Sequence, residues 1–111
     1  MKLAQETYDR TTVIRLTGEI TSDDTDALMS MVRECLGSDA RDFVLDLSAA
    51  EFLDSAALET LLWVQEQADE RLGQVRLSGA SESIRKILEM TRLDKHFNCH
   101  EDVDTAMKSL R

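Results

Sequence analysis

Two adjacent side chains in this sequence have the types and setting to do chemistry: the carboxylate of Asp54 and the hydroxyl of Ser55. They lie in FVLDLSAAEFLDSAALETLL, residues 43–62, between an apolar strand pattern and an apolar helix pattern. The join puts Ser55 at the N-cap or in the first turn of a helix. Two uses fit that place. Serine and aspartate cap helices because their oxygens satisfy orphan backbone N–H groups. A helix N-terminus also welcomes anionic charge, so a phosphate on the hydroxyl would be stabilised there. Ala56 and Ala57 are small and leave the hydroxyl open to another protein. Asp54 acts the other way, because a phosphate on Ser55 would crowd two anions into one turn and could expel a partner.

Other chemistry fits less well. A nucleophilic serine needs a nearby base, and no G-x-S-x-G elbow surrounds Ser55. The only histidines, His96 and His100, come much later. Four glycines are scattered singly, so there is no phosphate-cradling loop. His96, Cys99 and His100 form H-x-x-C-H, which on a helix could share a face and hold zinc. The segment reads as a short strand and loop, where the three would not converge, and a structural site needs a fourth ligand. The expectation is therefore no metal, no cofactor and no enzyme activity. Trp63 is expected to be partly buried on its helix.

The elements that would position Asp54 and Ser55 follow from periodicity. Leu3–Tyr8 and Thr12–Thr17 read as strands joined by a turn at Asp9-Arg10, with Gly18 breaking the pattern. Thr21–Leu36 reads as a helix, capped by Thr21 or Ser22 and stopped by Gly37. Cys35 falls on its apolar stripe and behaves as a small core hydrophobe. Phe43–Leu47 is apolar on both faces apart from Asp46, which suits a central strand covered by helices. Ser55–Leu72 is the strongest helix, with a stripe of Leu58, Leu61, Leu62, Ala68 and Leu72 and a stop at Gly73. Gln74–Ser78 is a strand and Ser81–Met90 a helix with Ile84, Ile87 and Leu88 on one face. Residues 96–99 are a brief strand, and Val103, Ala106, Met107 and Leu110 give a last amphipathic helix. The order β-β-α-β-α-β-α-β-α calls for an α/β fold with a largely parallel sheet.

Bulk composition narrows the partners. The 111 residues suit one domain over 1–111, large enough for a core without staples. Twenty-two acidic against 13 basic side chains give a formal net charge of −9. That excludes the basic footprint that nucleic acid requires and disfavours anionic membranes. Protein partners or small ligands remain. No apolar run approaches a membrane span, and MKLAQETYDR has no signal-peptide core. Cys35 and Cys99 read as free thiols, so a cytoplasmic setting is expected.

The chain resembles the STAS family, the sulfate transporter and anti-sigma factor antagonist domains, and especially its small stand-alone bacterial members. The resemblance rests on RLTGEI (15–20) before an acidic first helix, FVLDLSAAEFLDSAAL (43–58) and LSGASESIRKILEMTRLDKHF (77–97). It implies a mixed sheet of four or five strands with about four helices, mostly on one side. It also implies partner switching: Ser55 matches the phospho-acceptor, and Asp54 and Ala56 flank it. The unphosphorylated form would bind an anti-sigma factor that is itself a GHKL-type serine kinase, and a PP2C-type phosphatase would reverse the modification. Gly18 and Glu19 match a loop that family members place beside the serine and the partner interface. Thr21 stands where the family often has aspartate, and Ala56-Ala57-Leu58 where its motif usually ends S-G-L or T-G-L. The family also includes scaffold subunits of lipid-transport ABC systems that are never phosphorylated, which is the alternative expectation.

Overall fold

The computed structural model describes residues 2–110. Strand β1 (Lys2–Tyr8) turns through Asp9-Arg10 into β2 (Thr11–Ile20). Helix α1 (Thr25–Gly37) leads to β3 (Asp42–Leu53), and α2 (Ser55–Glu70) to β4 (Val75–Ser78). Helix α3 (Glu82–Met90) and a single 3-10 turn at Leu93–Lys95 lead to β5 (Asn98–His100), and α4 (Val103–Lys108) follows. The five strands form one sheet in the order β1-β2-β3-β4-β5. β1 pairs antiparallel with β2, and every later pairing is parallel.

That order decides where the helices go. Parallel crossovers follow a right-handed rule, and because the strands advance in one direction across the sheet that rule puts α1, α2 and α3 on the same face. The core lies there. Leu28 and Val32 of α1, Leu61 and Val64 of α2, and Ile84 and Leu88 of α3 pack on Ile14, Leu16, Phe43, Leu45, Leu47 and Leu77 of the sheet. Among the described residues the other face is covered by α4, where Ala106 meets Val13 and Val44, with Val103, Met107 and Leu110 around them. The expected α/β fold, a mixed sheet with helices mostly on one side, is the one found.

Several element ends differ from expectation, each for a local reason. Gly18 does not end its strand: with φ +89° it carries β2 through a bulge, and pairing resumes to Ile20 opposite Leu53. β3 correspondingly runs on to Leu53 instead of stopping at Leu47. α1 begins at Thr25, later than expected. Residues 21–24 form a turn in which the Asp24 N–H donates to the Thr21 carbonyl at 2.9 Å, and Asp24 Oδ2 accepts from the Thr21 N–H at 2.9 Å. Neither Thr21 nor Ser22 is therefore the cap.

Leu72 is not part of the α2 stripe. The helix ends at Glu70, and Leu72 takes a left-handed φ of +60° and is 90% exposed. The reason is its neighbour. A Cβ on Gly73 would stand 2.0 Å from the carbonyl oxygen of Arg41, so the chain can pass that point only as glycine. The last strand begins at Asn98, with Phe97 turned into the core.

Candidate functional site

Asp54 and Ser55 have separate tasks. Asp54, extended in backbone, is the N-cap of α2: its Oδ1 accepts from the Ala57 N–H at 2.8 Å. Its Oδ2 accepts from the Ser22 N–H at 2.9 Å, across a separation of 32 residues. Its own N–H donates to the Ile20 carbonyl at 3.2 Å. One residue therefore caps a helix, ties the loop after β2 to that helix, and closes the β2–β3 ladder. The capping use considered for the pair falls wholly to Asp54. Ser55 is the first residue of the helix, it is exposed, and its hydroxyl makes no hydrogen bond among the described residues.

The surroundings are acidic. Residues 18–26 and 51–59 together carry seven carboxylates and no basic residue. Glu19, Asp23, Asp26, Glu51 and Glu59 are exposed among them. Gly18 and Glu19 sit at the bulge, paired with Ala50 and Phe52 of β3, on the same carboxyl-end rim of the parallel strands as Ser55. In open α/β sheets that rim is where ligands gather. Gly18 and Ala56 are half-buried, while Glu19 and Ser55 are exposed. Asp54 joins the two segments, bonding to Ile20 at the end of β2 and to Ser22 in the loop that follows.

One feature beside Ser55 escaped sequence reasoning. Thr25 and Met29 of α1 and Ala56, Glu59, Thr60 and Trp63 of α2 line a groove of about 330 Å³ that begins one residue from Ser55. The Arg33 guanidinium lies over the Trp63 ring, 5.2 Å from its centroid, at the far end. The available signal was the pairing of two helix faces, which a reading of each helix alone does not contain. Trp63 is partly buried, as expected.

The H-x-x-C-H segment lies elsewhere. His96 follows the 3-10 turn, while Cys99 and His100 lie on β5. Cys99 and His100 line a second cleft of about 370 Å³ with Arg85, Asp94 and Phe97. Among the described residues no group of three His, Cys, Asp or Glu side chains is placed to hold a metal ion. Both cysteines are free thiols, and burial is the main cause that pushes each above the ordinary thiol range. No helix of the described residues is long and apolar enough to cross a membrane.

Similarity to known proteins agrees with this geometry. A STAS-domain containing protein of Pseudomonas aeruginosa (strain UCBPP-PA14) is 37% identical over 57 residues, covering 51% of this chain and 56% of that protein. The chain thus matches little more than half the length of that relative. An anti-sigma factor antagonist from Mycobacterium paratuberculosis superposes with a TM-score of 0.86 at 27% identity, covering 99% of this chain and 93% of that one. The antagonist SpoIIAA of Bacillus has the same fold in two forms. Its unphosphorylated form gives a TM-score of 0.86 at 19% identity, covering 97% and 95% of the two chains. Its phosphorylated form gives 0.78 at 20%, covering 99% and 100%. The model of the STAS domain matches residues 2–106, nearly the whole chain, and the protein belongs to the STAS domain family.

Proposed function

We propose that this protein is a non-enzymatic anti-sigma factor antagonist whose partner binding is switched by reversible phosphorylation of Ser55. The observation that carries the reading is the division of labour at the start of α2. Asp54 performs the capping, so the Ser55 hydroxyl is left exposed and free of structural duty. The antagonists among its structural neighbours support the role, and SpoIIAA, which occurs with and without phosphate, supports the chemistry.

The mechanism follows from charge. A phosphate on Ser55 would add about −1.5 to −2 charge at neutral pH. It would stand beside Asp54 in a neighbourhood with no basic side chain of its own to neutralise it. The free ends of α2 can accommodate it, because the helix N-terminus favours an anion. The fold therefore survives while the surface changes. The unphosphorylated patch of Ser55, Ala56, Gly18 and Glu19 binds an anti-sigma factor that is a GHKL-type serine kinase. The phosphorylated patch repels it, and a PP2C-type phosphatase restores binding. The protein acts in the cytoplasm, where such regulators meet transcription machinery. The alternative, a scaffold subunit of a transport or signalling complex, predicts binding that is indifferent to charge at Ser55.

Incubation with the cognate kinase and ATP, followed by mass spectrometry, tests the site. One phosphate mapped to Ser55 is expected. Phosphate on another residue, or none on a protein that binds the kinase, would refute the assignment.

A further inference from the structure

The two edges of the sheet are unequal. β5 is three residues long and passes at once into the turn before α4. β1 is seven residues long and pairs with β2 at seven consecutive positions without a bulge. Proline, which would blunt an edge, is absent from the chain. Six of its seven residues are exposed and Leu3 is half-buried.

The hairpin geometry shows which groups that edge offers. Tyr8 and Thr11 flank a two-residue turn, so they exchange both hydrogen bonds. By alternation, Tyr8, Glu6, Ala4 and Lys2 direct their N–H and C=O groups at β2. Thr7, Gln5 and Leu3 direct theirs outward. Gln5 is steadied from the side, since its Oε1 accepts from the Cys35 thiol at 3.0 Å.

The side chains on this strand are complementary to themselves. In an antiparallel pair of β1 strands centred on Gln5, Leu3 meets Thr7 and Gln5 meets Gln5, which satisfies every outward N–H and C=O group of those residues. On the other face Lys2 stands opposite Tyr8 and diagonal to Glu6 of the second copy, within reach for long side chains. Tyr8 is 48% exposed, and its hydroxyl donates to the Glu6 carboxylate. Each Lys2 ammonium would thus meet an aromatic face and a carboxylate already joined together. No like charges stand directly opposite in this register.

We propose that the free edge of β1 is a homodimerisation surface, taking the β1 strand of a second copy in antiparallel register about Gln5. The pairing extends two five-stranded sheets into one. It leaves Ser55, Ala56, Gly18 and Glu19 outside the new ladder, because β1 covers only Thr11–Thr17 of β2. A dimer therefore presents two separate copies of the serine patch.

Sedimentation equilibrium at about 0.15 M salt, where surface charge is screened beyond roughly 8 Å, tests this with the whole chain. The wild type should show a monomer–dimer equilibrium between micromolar and millimolar concentration. Lys2→Glu should weaken it at least tenfold, and the charge swap Lys2→Glu/Glu6→Lys should restore it. Thr7→Pro, which removes an outward donor but no bond to β2, should also abolish dimers, with circular dichroism checking its fold. A protein that stays monomeric throughout that range would overturn the proposal. So would a dimer unaffected by Lys2→Glu, or a charge swap as weak as the single reversal; neither depends on Thr7→Pro folding.

Discussion

Strand β3 carries an aspartate at its first residue and meets another just past its last, and the two ends use them differently. At the lower end, Asp42 is buried; its Oδ1 accepts from the Gln74 N–H at 2.8 Å and its Oδ2 pairs with Arg41 at 3.4 Å. Gly73 presses on the Arg41 carbonyl beside it, with no room for a methyl group. At the upper end, Asp54 likewise uses both oxygens, on Ala57 and Ser22. There the next residue is an exposed serine with an unengaged hydroxyl. Both ends are clamped by a carboxylate accepting backbone N–H bonds. Only the upper end holds a reactive group that the clamp does not need. A modification at Ser55 can therefore alter the surface without loosening the fold, whereas any change at the lower end would be structural.

Breaking the shared scaffold should have the largest effect. Leu61, 1% exposed in the middle of α2, holds the helix whose start and return make the two ends. Leu61→Ala should cost about 2–5 kcal/mol in chemical denaturation, the range for truncating a buried leucine. A loss well under about 1 kcal/mol would mean that this face of α2 is not core.

Next comes the lower end. Gly73→Ala should lose about 1–3 kcal/mol, as expected for overpacking against backbone that must shift. Thermal unfolding that is unchanged would show that the tight passage under Arg41 is dispensable.

The upper end sharpens the contrast within two adjacent residues. Asp54→Ala should cost about 0.5–2 kcal/mol, the usual price of a lost cap. It should also speed amide exchange at Ser22, whose N–H loses its acceptor. Ser55→Ala should stay within about 0.5 kcal/mol of wild type, as for a surface change without a bonding partner. Equal losses at the two positions would erase the division of labour between them.

Much of this was legible in the sequence. The alternation of strand and helix patterns contains the parallel sheet, and the crossover rule then puts three helices on one face. The D-S pair was legible as the join of a strand and a helix, and that is where it lies. What could not be read was which of the two residues caps, because serine and aspartate are nearly equal caps by type. The choice is made by Ser22, which arrives from 32 residues away and claims the second oxygen of Asp54. Gly18 misled for a similar reason: a glycine in a strand pattern reads as a stop, but here its positive φ makes a bulge that pairing survives. Leu72 looked apolar and in phase, yet Gly73 and Arg41 end the helix before it. In each case the deciding contact is distant in sequence and absent from any local window.

The most direct test of the account is the affinity of the cognate kinase for three forms of the protein, measured by calorimetry. Wild type and Ser55→Ala should bind alike, since the hydroxyl carries no structural bond and a methyl group barely alters the patch. Ser55→Asp should bind about a hundredfold more weakly, a difference of roughly 2.7 kcal/mol, as its charge joins seven carboxylates with no basic residue among them. Equal affinity of all three forms would contradict the switch and leave the scaffold role in its place.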